Sequence, residues 1–318
     1  MAGVGAGAFW WWTGQPLELK SESIEISVPP RASVRTASDQ AVAGGVRANP
    51  TLLYWYFRLA GQNQSIKPGD YEVSQGMSPA DLLGKLLRGD RIMRSVTFVE
   101  GWTFRQLRDA LAKAPNLKPD TKDLSAAELM RTLGKPGMHP EGRFFPDTYQ
   151  YAKNSSDVAV LRQSMQLMEQ RLQAAWDARA AGGPLKSPDE ALILASIVEK
   201  ETGKAQDRAE IAGVFHNRLR IGMPLQTDPT VIYGLGEKFD GNLRKRDLTT
   251  DTPWNTYTRK GLPPTPIALP GKAALMAAVQ PAQTRALYFV ARGDGSSAFS
   301  ATLAEHNAAV RKYQLGGN

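Results

Sequence analysis

Apolar and polar positions alternate along residues 17–29 (LELKSESIEISVP), the period-two pattern of a half-exposed strand, which Pro29-Pro30 breaks. A helical segment is expected around residues 33–43. Residues 51–60 (TLLYWYFRLA) are dense in large apolar side chains and predict a buried helix. The turn Lys67-Pro68-Gly69-Asp70 leads into a short strand at 71–74. Ser78 and Pro79 then make an N-cap and first helical position for a helix carrying Leu82, Leu83, Leu86 and Leu87, which stops near Gly89. A strand at 93–98 follows, and a capping box at Thr103 to Gln106 opens another helix. Strand, turn and helix in this order recur in small glycan-binding modules, and equally in generic α+β domains.

Further along, residues 116–136 are expected as a helical insertion and 141–149 (EGRFFPDTY) as an aromatic-rich loop. Residues 158–181 predict a long helix that Gly182-Gly183 closes, and 184–187 a linker. Four segments are expected: 1–16, a mixed region 17–114, a connector 115–157, and a mainly helical body 158–318. That body closes with a helix at 271–279, a β-hairpin turning at Gly293-Asp294-Gly295, and an amphipathic helix to about Tyr313. The fold class is α+β.

The helix that begins at Ser187-Pro188-Asp189-Glu190 has a strong start, and ALILASIVEKET follows. It is apolar around most of its circumference, with only Ser196 and Lys200 on a clearly polar arc, so it is read as buried. Two glutamates intrude: Glu201 in line with Leu194, Ile197 and Val198, and Glu199 in line with Leu192 and Ala195. Burying a carboxylate raises its pKa unless cations or donors compensate, and a raised pKa suits a general acid. The competing reading makes both structural, paired to Arg208 or Arg218. Pattern alone does not choose between the two glutamates.

A second helix starts at Asp207, with Ile211, Val214, Phe215 and Leu219 as its buried stripe and Gly222 at its end. Then comes Gln226-Thr227-Asp228, with Asp228-Pro229 expected as cap and first position of the next helix. Gln226, Thr227 and Asp228 suit a sugar cleft, or merely brace the turn. Asn255-Thr256-Tyr257 forms a second polar-aromatic loop, and tyrosine offers a stacking face and a hydroxyl.

Composition narrows the chemistry. With 39 basic and 31 acidic residues in 318, the net charge of +8 suits a polyanionic partner, but no nucleic-acid motif is present. Absence of cysteine excludes disulfides and thiolate chemistry, and His139, His216 and His306 have no ligand-like spacing. Residues 1–12 (MAGVGAGAFWWW) are apolar but shorter than the roughly 20 residues of a membrane span. Segment 1–16 is read as the outer end of an anchor whose beginning is missing, against a tail or a small buried strand.

The runs LASIVEKET, VFHNRLRIGMPLQTDPTVIYGLG and NTYTRKGLPPTPIALPG closely resemble the YceG-like (MltG) family of endolytic murein transglycosylases. FFPDTYQY, YFVARGDGSSAFS and LAEHN match as well, and the resemblance covers about residues 18–314. It implies a LysM-like glycan-binding module in the amino-terminal part, a single-pass inner-membrane anchor and a periplasmic body. It further implies peptidoglycan glycan strands as substrate, peptidoglycan synthases as candidate partners, and no cofactor or metal. By the same resemblance Glu201 is the catalytic residue and Glu199 supports it. Thr202 completes a Glu-Thr pair, and Gln226, Thr227, Asp228, Tyr233, Asn255 and Tyr257 are carried over as cleft residues. The expected reaction cleaves the bond between N-acetylmuramic acid and N-acetylglucosamine and leaves a 1,6-anhydro end. Rival expectations are a muramidase-type hydrolase with Asp228 as second carboxylate, and a non-catalytic glycan-binding scaffold.

Overall fold

The computed structural model describes residues 2–61 and 65–315, with side chains described from residue 7 onward. Met1 of the expected anchor segment and the last three residues of the expected body lie outside the described residues. The chain forms two compact units. One comprises Met1–Ser95 with the returns Pro115–Lys118 and Gln150–Ser155; the other comprises Val96–Ala114, Pro119–Tyr149 and Ser156–Asn318.

The first unit runs α1 (Ala2–Thr13), β1 (Glu18–Leu19), β2 (Ser23–Val28), α2 (Val34–Ala43), β3 (Val46–Arg47), α3 (Pro50–Ala60), β4 (Gly69–Ser74) and α4 (Pro79–Arg88). The alternating stretch becomes two strands rather than one. β1 pairs with β3, and β2 pairs antiparallel with β4, from Ser23 opposite Ser74 to Val28 opposite Gly69. Alternation puts Ile24, Ile26 and Val28 inward, onto Tyr71, Leu53, Phe57, Leu82 and Leu86. Ser78 and Asp81 form a reciprocal capping box at the start of α4, and Gly89 ends it in the left-handed conformation, φ 80°.

The apolar amino terminus requires a correction. α1 has 12 residues, about 18 Å at 1.5 Å per residue, against a hydrocarbon core of about 30 Å. Among the described residues no helix is long and apolar enough to cross a membrane, which overturns the single-pass inner-membrane placement expected for this chain. Two of its four aromatic residues pack inward, while Trp10 and Trp11 are exposed. Phe9 and Trp12 lie on the core of the first unit, with the Phe9 ring edge-on to Tyr56 at 6.5 Å.

β5 (Met93–Thr97) pairs with β6 (Thr148–Ala152), a strand the aromatic loop did not announce. The second unit holds α5 (Phe104–Lys113), α6 (Ala126–Thr132), α7 (Asp157–Asp177), α8 (Pro188–Glu201), α9 (Ala205–Arg220), α10 (Asp228–Leu235), α11 (Lys245–Thr249) and α12 (Lys272–Val279). The hairpin β7 (Tyr288–Ala291) with β8 (Ser297–Ser300) and then α13 (Leu303–Tyr313) complete it. The expected helical insertion contains only α6, boxed at Ser125 and Glu128, because Pro119 and the left-handed Asn116 and Gly134 interrupt the backbone on either side.

α8 is the central element. It packs against α7, α9, α10 and α12. Leu192, Leu194, Ala195, Ile197 and Val198 sit in one core with Phe215, Leu275 and Ala278. Ser196 is also fully buried, although its arc reads as polar. Its hydroxyl donates to the Ile193 carbonyl at 2.7 Å and accepts from the Ile267 N–H at 3.0 Å, so it is satisfied. Leu194→Ala is expected to destabilise the protein by about 2–5 kcal/mol through the cavity it leaves. Denaturant midpoints check this, and a loss below about 1 kcal/mol would contradict a fully packed α8.

Candidate active site

Glu201 is the last residue of α8, and Thr202 is its C-cap in extended conformation. The Thr202 hydroxyl accepts the Lys204 N–H at 3.0 Å, so it shapes the turn into α9. The Glu201 carboxylate accepts a hydrogen bond from the hydroxyl of Thr227. Thr227, not Asp228, is the N-cap of α10, and its side chain makes no capping bond. Its hydroxyl is directed to the carboxylate instead of to the helix.

A buried threonine network holds Thr227. Its N–H donates to Thr256 Oγ1 at 3.1 Å, the Thr256 and Thr230 hydroxyls meet at 2.8 Å, and Thr230 Oγ1 donates to the Thr227 carbonyl at 2.8 Å. Arg218 of α9 grips the preceding turn from behind. Its Nη1 donates to the Leu225 carbonyl at 2.7 Å and to Gln226 Oε1 at 3.4 Å, and its Nε donates to the Leu287 carbonyl at 2.7 Å. Gln226 itself is left-handed at φ 51°, and its side chain is exposed. The next carboxylate, Asp228, accepts the Tyr257 hydroxyl at 2.6 Å.

These neighbours set the charge state of Glu201. Burial pushes its carboxyl up to about 6, from an ordinary value of 4.5. The negative charge of Asp228 adds to that rise, while the Thr227 hydrogen bond and the Arg218 guanidinium oppose it. Glu199 is held differently. It accepts the Gly271 N–H at 3.0 Å and lies 3.9 Å from Arg208, which ties α8 to the start of α12. Burial raises its pKa as well, with the negative charge of Glu100 adding to the rise and the Gly271 N–H and Arg208 opposing it. The geometry therefore separates two glutamates that the helical pattern left equivalent.

Asn255 is fully buried. Its amide donates to the carbonyls of Asp247, Leu248 and Thr250, and its Oδ1 accepts the Tyr257 N–H at 2.9 Å. It orients Tyr257 and has no donor left for a ligand. Among the described residues no three His, Asp or Glu side chains are placed to hold a metal ion.

The YceG-like family matches residues 26–312. The chain belongs to that family. It is 31% identical over 317 residues to the endolytic murein transglycosylase of Bacillus subtilis (strain 168), covering 94% of this chain and 87% of that protein. It is 25% identical to the endolytic murein transglycosylase of Streptococcus pneumoniae serotype 2 (strain D39), covering 87% of this chain and 56% of that longer protein. Among solved structures, a YceG-like protein from Listeria monocytogenes superposes with a TM-score of 0.58 at 30% identity, covering 90% of this chain and 98% of that one. The mixed helical and small-sheet α+β architecture is consistent with a YceG-like fold.

In this YceG-like chain a further buried carboxyl lies on the other side of α10. Tyr233 donates its hydroxyl to Glu141 Oε2 at 3.1 Å and packs edge-on to Trp254 at 5.6 Å. Glu141 Oε1 accepts the Phe104 N–H at 2.9 Å, at the start of α5. Glu141 is 3% exposed, and burial pushes its carboxyl up to about 7. The aromatic loop showed only a glutamate before a glycine. The signal was that glycine: Gly142 has φ 76°, and a Cβ there would lie 2.5 Å from Pro266 Cβ.

A carboxyl raised from 4.5 to about 7 in the folded state is destabilising when charged. Its contribution is fully present below pH ~4.5 and is lost as pH rises through about 7. The loss is on the order of 3 kcal/mol by pH 8. Glu141→Gln is expected to be more stable relative to wild type at pH 8 than at pH 5, checked by thermal melts of both proteins. An equal difference at the two pH values would refute the assignment.

Proposed function

We propose that this YceG-like protein is an endolytic peptidoglycan lytic transglycosylase in which Glu201 acts first as acid and then as base. The observation that carries this reading is the Glu201 carboxyl at the partly buried end of α8, held by the Thr227 hydroxyl and pushed by desolvation up to about 6. Such a group is partly protonated near neutral pH, yet acidic enough to give its proton away. The transglycosylase names of the two curated relatives support the substrate and the reaction class.

Glu201 donates its proton to the glycosidic oxygen between N-acetylmuramic acid and N-acetylglucosamine. The bond to the muramic anomeric carbon breaks, and positive charge develops there. Arg218 and the Thr227 hydroxyl favour the carboxylate that forms. That carboxylate takes the proton of the same sugar's 6-hydroxyl, whose oxygen closes on the anomeric carbon. The products are a 1,6-anhydro end and a free 4-hydroxyl, and no water is consumed. The attacking hydroxyl belongs to the reacting ring, so proximity replaces a second activating carboxylate. To the amino-terminal unit we assign a LysM-like glycan-holding role, which rests on its short strand-and-helix pieces.

A muramidase-type hydrolysis with Asp228 as second carboxylate is the alternative that one observation favours: Asp228 is close enough to raise Glu201. Digestion of purified glycan strands followed by mass spectrometry of the ends decides between them. Anhydro ends are expected from wild type, and reducing ends would overturn the lyase reading. Glu201→Gln should lower turnover by about 10²–10⁴-fold without changing the circular dichroism spectrum.

The pH profile gives a second test. Activity on soluble strands is expected to fall as pH rises through about 6, where Glu201 loses its proton. Asp228→Asn removes a neighbouring negative charge and should move that fall to lower pH. Thr227→Val removes a donor to the carboxylate and should move it to higher pH. Shifts in the same direction would contradict the assignment of the titrating group.

A further inference from the structure

The face of α10 that carries Tyr233 borders a cavity of about 690 Å³, large enough for a sugar residue and more. Phe104, Tyr233 and Trp254 give it aromatic walls, and Glu141 and His139 are its polar points. Two other lining residues, Lys200 and Pro229, are the chain neighbours of Glu201 and Asp228. The cavity thus adjoins the acid without containing it.

We propose that this cavity binds an uncharged N-acetylhexosamine of the strand, a different ring from the one that reacts at Glu201, with Glu141 and His139 recognising its acetamido group. The proposal rests on the glycan-cleaving reading above for its substrate. The chemistry of the lining selects this ligand over an anionic peptide stem. Its cations lie at the exposed rim rather than inside: Arg105 bonds Glu237 at 2.6 Å, and Lys200 donates to the Gly101 carbonyl at 3.2 Å. The buried interior point is the Glu141 carboxyl, whose oxygens accept an amide N–H and which, when ionised, repels a second carboxylate.

Donor and acceptor are both present for an acetamido group. Each Glu141 oxygen accepts one bond from the protein, from Phe104 N–H or Tyr233 O–H, and a carboxylate oxygen has a second lone pair. His139 Nδ1 accepts the Glu141 N–H at 3.2 Å, which leaves Nδ1 without a proton. Its proton then sits on Nε2, a donor for the acetyl oxygen. The aromatic walls supply the apolar surface that a pyranose face and an acetyl methyl require.

The test uses the full chain in a Glu201→Gln background, so that no cleavage occurs, with the N-acetylglucosamine tetramer as probe. That probe has acetamido groups but no lactyl group and no peptide. Titration calorimetry is expected to show binding that His139→Ala and Glu141→Gln each weaken by about three- to tenfold, the value of one lost hydrogen bond. Deacetylated glucosamine tetramer should not bind detectably. No binding of the acetylated tetramer, or unchanged affinity in both variants, would overturn the proposal. So would preference for a peptide-bearing disaccharide over the tetramer. His139 is exposed, so its variant should fold even where Glu141→Gln perturbs the core. Acetamido-dependent, His139-dependent binding without anhydro products from wild type would leave the cavity standing and remove the lyase reading.

Discussion

The hydrogen bond from Thr227 to Glu201 links the two elements on which the site depends. An N-cap hydroxyl ordinarily satisfies the first turn of its own helix. Here that hydroxyl crosses to the end of α8, and α10 begins without a side-chain cap. The remaining structure supports this exchange. Thr256 and Thr230 hold Thr227 from one side, and Arg218 fixes the turn before it from the other. The buried flanks of α8 anchor the helix that carries the carboxylate.

Charge around Glu201 is balanced rather than maximal. Asp228 and burial favour the protonated acid, while Arg218 and Thr227 favour the carboxylate. A stronger cation contact would give a permanently ionised residue, useless as a donor. Removing the cation and hydroxyl would give an acid too weak to release its proton. The role proposed for Glu201, giving and then taking a proton, needs an intermediate setting. Glu199, two residues earlier, shows the contrast: a backbone donor and Arg208 fix it as a brace.

Much of this was legible in the chain before any coordinates. Ser78, Thr103 and Ser187 announced their helices because caps are local chemistry. The apolar circumference of α8 announced its burial for the same reason. Non-local features were not legible. Ser196 reads as surface because its partner, the Ile267 N–H, is 71 residues away. Asn255 reads as a ligand contact, yet its amide is consumed by carbonyls of the preceding loop. Glu141 gave almost no signal, since its two donors arrive from α5 and α10. The tryptophans near the amino terminus read as a membrane belt, but Trp12 and Phe9 pack on a protein core, which the same apolar chemistry serves equally well.

The left-handed backbone of Gln226 bears on how this family can be stabilised. A non-glycine residue at φ 51° carries local strain, and the Arg218 contacts to Leu225 and Gln226 hold it in place. Glycine at this position would relax the backbone, but would also widen the unfolded ensemble and release the side chain that meets Arg218. Relief of strain on one side, and loss of chain stiffness and of the Arg218 contact on the other, therefore pull stability in opposite directions at this one turn.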